Sequence, residues 1–204
     1  MLFFATASGP KVCDAMRAGL LGQIVTPAAG NAVLPGVGWC ADNAVFAGKY
    51  PGDDEYLTWL AERPYRASCR FAVAPDVVGD AEATHARSTP MLGRIRELVP
   101  VAYVGQNGAT PESLPWPRFD VLFIGGDTPW KLGPEARAIV VEAKRRGKWV
   151  HMGRVNSAKR LRYAQFIGCD SADGTYLAHG PDENLPKLLR WLRISREPAL
   201  WGAA

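Results

Sequence analysis

The sequence predicts an α/β protein, a single compact (β/α)8 TIM barrel over residues 1–204, and three observations carry that prediction. Eight short apolar runs recur along the chain, helical spacings fill much of what lies between them, and no Ser/Gly-rich or Pro-rich linker divides the sequence. Apolar runs of four to eight residues without polar alternation mark strands covered on both faces, as in a parallel sheet wrapped by helices. A chain of 204 residues houses one core and sits at the lower end of the size range for a barrel. An open doubly wound sheet is the alternative.

The runs are taken in order. Leu2–Ala7, Gln23–Ala28 and Val37–Asp42 are the first three. Phe71–Asp76 is the fourth, followed by a helix that Asp80 caps and that Pro90 kinks or splits. Val101–Gln106 and Val121–Gly126 are the fifth and sixth. Leu132–Gly147 then places Leu132, Ala136, Ile139, Val140 and Ala143 at helical spacing and closes on Lys-Arg-Arg-Gly, cations at the negative end of the dipole and glycine as terminator. Trp149–Arg154 is the seventh run, and Ser157 caps a helix reaching Gly168. Cys169–Asp173 is the eighth, and Asp182 or Asn184 caps a last helix carrying Leu185, Leu188, Leu189 and Leu192.

Composition narrows the function. With 48% hydrophobic and 22% charged residues, 21 Gly and 16 Pro, the chain is neither disordered, collagenous nor a coiled coil. No run approaches the roughly 18 apolar residues of a membrane span, and Leu2-Phe3-Phe4 lacks the basic flank of a signal peptide, so a soluble, cytoplasmic protein without a membrane partner is expected. Cys13, Cys40, Cys69 and Cys169 form no C-x-x-C pair, and His85, His151 and His179 have no ligand spacing, so no metal site is expected. Neither G-x-G-x-x-G at a strand-to-helix turn nor a P-loop occurs, and no cofactor is expected. Residues 131–204 hold 14 Lys/Arg against 7 Asp/Glu, a basic third suited to phosphates or, equally, a set of solvated helix faces. Trp59, Trp116, Trp149, Trp191 and Trp201 read as core or interface residues, and Trp130 follows a strand end where it can line a pocket.

In a parallel barrel the reactive face lies at the C-terminal strand ends. Here those ends carry Trp39-Cys40-Ala41-Asp42-Asn43, Pro75-Asp76, Gly105-Gln106-Asn107-Gly108, Gly125-Gly126-Asp127, Met152-Gly153-Arg154 and Asp170-Ser171-Ala172-Asp173-Gly174. One polar residue after a strand is ordinary turn chemistry, but six consecutive ends would gather carboxylates, an amide and glycines at one mouth. Carboxylates supply nucleophiles and proton transfer, and glycines let a flat ligand approach the backbone.

These segments resemble the tRNA-guanine transglycosylase superfamily and, within it, the short DNA-acting DpdA-type proteins that insert 7-deazaguanines. The resemblance covers residues 39 to about 192. Ala41-Asp42-Asn43-Ala44-Val45-Phe46 is similar to A-D-S-G-G-[FY], with Ala44 and Val45 standing where the family has glycines; Gly105-Gln106-Asn107-Gly108 is similar to V-Q-G-G, and His151-Met152-Gly153-Arg154-Val155 to L-M-G-V-G. Gly168-Cys169-Asp170-Ser171-Ala172-Asp173 is similar to G-[IV]-D-M-F-D.

The resemblance implies a pentosyltransferase in which Asp173 is the nucleophile and Asp42 the proton-transferring residue. It implies a base pocket of Phe46, Asp76, Gln106, Gly125, Gly126, Met152 and Gly153, with Phe46 and Met152 sandwiching the base. Asp170 is placed beside Asp173, as a substrate contact or as the residue that orients it. Arg154, Lys159, Arg160 and Arg162 are candidate nucleic-acid contacts. Guanine would be exchanged for a free 7-deazapurine base, such as 7-cyano-7-deazaguanine, through an aspartyl-glycosyl intermediate. The zinc subdomain and arginine-bearing loop that follow the nucleophile in the tRNA enzymes find no counterpart in Gly174-Thr175-Tyr176 and beyond, which points to DNA. An RNA substrate and a catalytically silent nucleic-acid-binding barrel are the alternatives, and a homodimer or an accessory protein is left open.

Overall fold

The computed structural model describes residues 1–194, so Trp201 lies outside the described residues. All eight expected runs are strands: β1 (Leu2–Ala5), β2 (Gly22–Val25), β3 (Trp39–Ala41), β4 (Cys69–Val73), β5 (Val101–Gly105), β6 (Val121–Ile124), β7 (Trp149–Met152) and β8 (Ser171–Asp173). They pair in parallel in sequence order, and β8 closes on β1 through Leu2 opposite Ser171 and Phe4 opposite Asp173. The result is the (β/α)8 barrel rather than the open sheet.

The helices are α1 (Pro10–Arg17), α2 (Asp53–Ala61), α3 (Ala81–Arg96), α4 (Thr128–Lys131), α5 (Pro134–Arg145), α6 (Ala158–Phe166) and α7 (Pro181–Ile194). Two connections carry no α-helix: β2 runs to β3 through turns, and β5 reaches β6 with a single 3-10 turn at Trp116–Arg118. Asp80 and Ser157 cap as expected, accepting from the backbone N–H of Ala83 at 2.9 Å and of Arg160 at 3.3 Å. Helix α3 is not split at Pro90, which lies on its exposed side. The last helix begins at Pro181, and Asn184, instead of capping, donates from Nδ2 to the carbonyls of His179 and Tyr176.

Strand alternation sorts the side chains into two layers. Phe4, Cys40, Phe71, Val73, Ala102, Val104 and Val121 point into the barrel, with Phe123 packed on them. Their neighbours, including Phe3, Trp39, Ala72, Leu122, Val150 and Met152, point outward into the larger core beneath the helices. Gly22 opposite Phe4 shows how tightly the interior is filled, since a Cβ there would lie 2.5 Å from the ring. No helix among the described residues is long and apolar enough to cross a membrane.

Candidate functional site

Above the filled interior, at the C-terminal mouth, lies a cavity of about 330 Å³ whose wall includes Asp42, Phe46, Asp76, Gln106, Gly125, Gly126, Gly153, Arg154 and Asp173. Each comes from the end of a strand or the loop behind it, so closure of the barrel assembles residues 131 positions apart in sequence, from Asp42 to Asp173.

Asp173 ends β8 facing inward and is held at both oxygens. Oδ1 accepts the backbone N–H of Arg154 at 3.1 Å, and Oδ2 lies 2.8 Å from Nε2 of His151. His151 is fully buried among the rings of Phe4, Phe71 and Phe123. Its Nδ1 is 2.8 Å from the Ser171 hydroxyl, which in turn accepts the indole N–H of Trp149 at 2.7 Å. One arrangement of protons satisfies every group: Trp149 donates to Ser171, Ser171 to Nδ1, and Nε2–H to Asp173. The opposite tautomer would leave the hydroxyl proton without an acceptor and set a ring lone pair against the carboxylate.

Asp42 lies on the other side of the mouth. Its Oδ1 accepts the N–H of Ala44 at 2.6 Å, and Asn43 Oδ1 accepts the N–H of Val45 at 2.9 Å, two successive turns closed by side-chain oxygens. Burial, against the opposing effect of the Ala44 N–H, pushes the Asp42 carboxyl from its ordinary 3.8 up to about 6, with the charges of Asp173 and Asp76 adding to the rise. Ala44 has φ +61, the left-handed conformation in which a glycine would be unstrained.

Asp76 sits between two amides. Asn43 Nδ2 donates to Oδ1 at 2.9 Å and Gln106 Nε2 to Oδ2 at 2.6 Å, while burial raises the carboxyl above its ordinary value. Gln106 also accepts the N–H of Gly126 at 2.7 Å and of Gly79 at 3.0 Å. Its amide is thus a brace between Asp76 and the glycine turn rather than a free reader of a base edge. The glycines leave no room for larger residues: a Cβ would lie 2.7 Å from Val104 at Gly125, 2.3 Å from Trp130 at Gly126 and 2.7 Å from Phe123 at Gly153.

Two expectations are corrected. Met152 does not face Phe46, because His151 occupies the inward position on β7 and alternation turns Met152 outward into the helix layer. The group over the Phe46 ring is the Arg154 guanidinium, 4.5 Å from its centroid. Asp170 lies off the cavity wall and away from Asp173: it precedes β8 at the opposite end of the barrel, where it pairs with Lys144 at 2.7 Å and accepts the N–H of Val150 at 2.8 Å. Of the candidate nucleic-acid contacts, Lys159 and Arg162 are exposed on α6 outside the cavity wall, and Arg154 and Arg160 are half-buried near the mouth.

Sequence reasoning missed His151 and Lys131. The signal for His151 was parity, since it shares the inward face of β7 and stands opposite Ser171 in register. Lys131 ends the short helix that Asp127 caps, is only 6% exposed, and donates from Nζ to the carbonyl of Gly153 at 2.7 Å. Burial, then the charges of Arg154 and Arg160, push its ammonium down to about 8 against the pull of Asp173 and Asp127.

No family model matches the chain, and no curated protein matches it. Among solved structures it is similar to phosphoribosyl anthranilate isomerase from Thermus thermophilus, with TM-score 0.59 and 16% identity over 96% of this chain and 100% of that one. It is also similar to a chain of the Amycolatopsis orientalis BexX/CysO complex, with TM-score 0.61 and 15% identity over 100% of this chain and 94% of that one. Likeness at this level of identity shows the fold alone.

Proposed function

We propose that this barrel is a DNA guanine transglycosylase that exchanges guanine for a 7-deazaguanine. The observation that carries the proposal is the pair of carboxylates sharing one cavity: Asp173, fixed at both oxygens, and Asp42, buried so that it takes up and releases a proton near pH 6. A pair of carboxylates serving as nucleophile and proton-transfer group is what double displacement at a sugar carbon requires.

Asp173 attacks C1′ of the target nucleoside, and the C1′–N9 bond breaks with its electrons leaving on guanine. Asp42, in its acid form, delivers a proton to the departing base. The incoming 7-deazaguanine returns a proton from its ring N–H to Asp42, its nitrogen attacks C1′, and Asp173 is released as carboxylate. Two inversions give net retention, and no proton is gained or lost over the cycle. Asp76 and the backbone at Gly125 and Gly126 border the space for the purine edge, and Phe46 offers a stacking face beside Arg154. A base in duplex DNA must leave the stack to enter, at a cost of a few kcal/mol that stacking and hydrogen bonding offset.

The test is nucleoside mass spectrometry of guanine-containing DNA, single- and double-stranded, and of guanine-containing RNA, each incubated with the protein and 7-cyano-7-deazaguanine beside Asp173→Asn. The modified deoxynucleoside is expected with the unsubstituted protein only. Product in RNA alone would move the assignment to an RNA enzyme, and product in neither polymer with folded protein would overturn the exchange reaction.

A further inference from the structure

Beside the main cavity lies a smaller cleft of about 160 Å³ that shares Lys131, Arg154 and Asn156 with it and adds Thr128 and Arg160. We infer that this cleft is a phosphate subsite, in which Lys131, Arg154 and Arg160 hold a phosphate group of the nucleotide whose sugar reaches Asp173. The inference rests on the nucleotide reading of the main cavity and adds to it a ligand group and a residue, Lys131, that the reading does not use.

Charge accounting comes first. Three cations border one small cleft, and none of them is ion-paired: the salt bridges among the described residues lie elsewhere. The carboxylates that act on Lys131 are Asp173 and Asp127. The first is taken up by His151 and the Arg154 N–H, and the second caps α4 by accepting the N–H of Trp130 at 2.8 Å. Lys131 is buried with Nζ on the neutral Gly153 carbonyl, and among the described residues the Arg160 guanidinium forms no ion pair. A buried ammonium flanked by two half-buried guanidinium groups, with no carboxylate in ion-pair contact, is costly, and an anion seated among them lowers that cost.

Geometry points the same way. The lining residues Asn156 and Arg160 bracket the N-terminus of α6, whose dipole favours an anion. Arg154 lies on the wall of both cavities, its backbone N–H on Asp173 and its guanidinium donating to the Gly126 carbonyl. A group in the cleft is therefore separated from Asp173 by Arg154, as the phosphates on C3′ and C5′ of a nucleotide are separated from C1′ by a few bonds of the sugar.

The test measures binding, by calorimetry, of deoxyguanosine, deoxyguanosine 3′,5′-bisphosphate and inorganic phosphate to the full chain and to Arg160→Ala and Lys131→Met. The bisphosphate is expected to bind at least tenfold more tightly than the nucleoside, and each substitution to remove most of that gain. Should Lys131→Met fail to fold by circular dichroism, the half-exposed Arg160 still supplies the test. Equal binding of nucleoside and bisphosphate would overturn the subsite while leaving the base pocket standing. A gain that survives both substitutions would overturn it too, as would binding by none of the three probes. Binding of bisphosphate and inorganic phosphate with none of the nucleoside, sensitive to both substitutions, would uphold an oxyanion site while the base reading failed. Equal affinity for inorganic phosphate and the bisphosphate would overturn its assignment to the nucleotide.

Discussion

His151 Nε2 and Asp173 Oδ2 lie 2.8 Å apart inside the barrel, with the imidazole wholly enclosed by aromatic rings and the carboxylate at the edge of the cavity. The ring therefore fixes one carboxylate oxygen from beneath while the rest of the group faces the ligand space. Substituting His151→Ala should lower kcat for base exchange by about 10- to 100-fold with little change in KM, the signature of a lost positioning contact. Stability should fall by about 2–4 kcal/mol, from a buried charge-assisted hydrogen bond and the space left by the ring. His151→Gln, which keeps an N–H donor, should recover part of kcat; steady-state kinetics beside urea melts measure both.

Asp42 links acidity to stability. Its folded value of about 6 exceeds the ordinary 3.8, so the folded chain binds this proton more tightly than the unfolded chain does. The stabilising contribution is therefore present at low pH and is lost as pH rises through about 6, a change of about 3 kcal/mol. Asp42→Asn has no such proton. Relative to this variant, the unsubstituted protein should become less stable between pH 4 and pH 7 by about that amount, while the variant loses exchange activity. Parallel urea unfolding curves across that range provide the check.

Ala44 holds φ +61 so that its N–H can reach Asp42. Ala44→Gly should relieve the left-handed strain and raise stability by about 0.5–1 kcal/mol after the added entropy of the unfolded chain is set against it. A loss of stability in a denaturant melt would contradict this account of the turn.

Phe46 is 64% exposed, with the Arg154 guanidinium 4.5 Å from its ring centroid. Phe46→Ala should leave thermal stability nearly unchanged and weaken DNA binding by about 1–3 kcal/mol, the usual worth of one base stacked on an aromatic ring. Fluorescence anisotropy with a single-stranded oligonucleotide reads that loss directly.

Asp170→Asn tests the reassignment of that residue. It should cost about 1 kcal/mol through the weakened pairing with Lys144 and the Val150 N–H, with kcat and KM unaltered. A large fall in kcat would return Asp170 to the active site.

The strands were legible because most are short runs rich in apolar residues, although β2 carries Gln23, β4 Arg70 and β7 His151, and β8 is Ser171-Ala172-Asp173. The mouth residues Asp42, Asp76, Gln106, Gly125, Gly126, Gly153 and Asp173 were legible because parallel order places every C-terminal end on one face. What was lost depended on single-residue register. β8 is three residues long, so Asp170 and Asp173 read as one cluster although they stand at opposite ends of the barrel. Met152 and His151 exchanged roles because facing alternates along β7, and a run buried on both sides shows no polarity to say which residue points in. Lys131 looked like one more charge on a helix, and its burial arises from contacts that only the folded β6–β7 connection makes.

Because Asp173 belongs to the strand that completes the ring, both of its hydrogen-bond donors come from the β7 strand and the loop after it, and β8 itself is pinned between β7 and β1. A growing polypeptide that has emerged only as far as β7 holds Asp42, Asp76 and Gln106 but lacks Asp173. Under the proposed exchange reaction, the nucleophile thus joins the other mouth residues only when the ring closes.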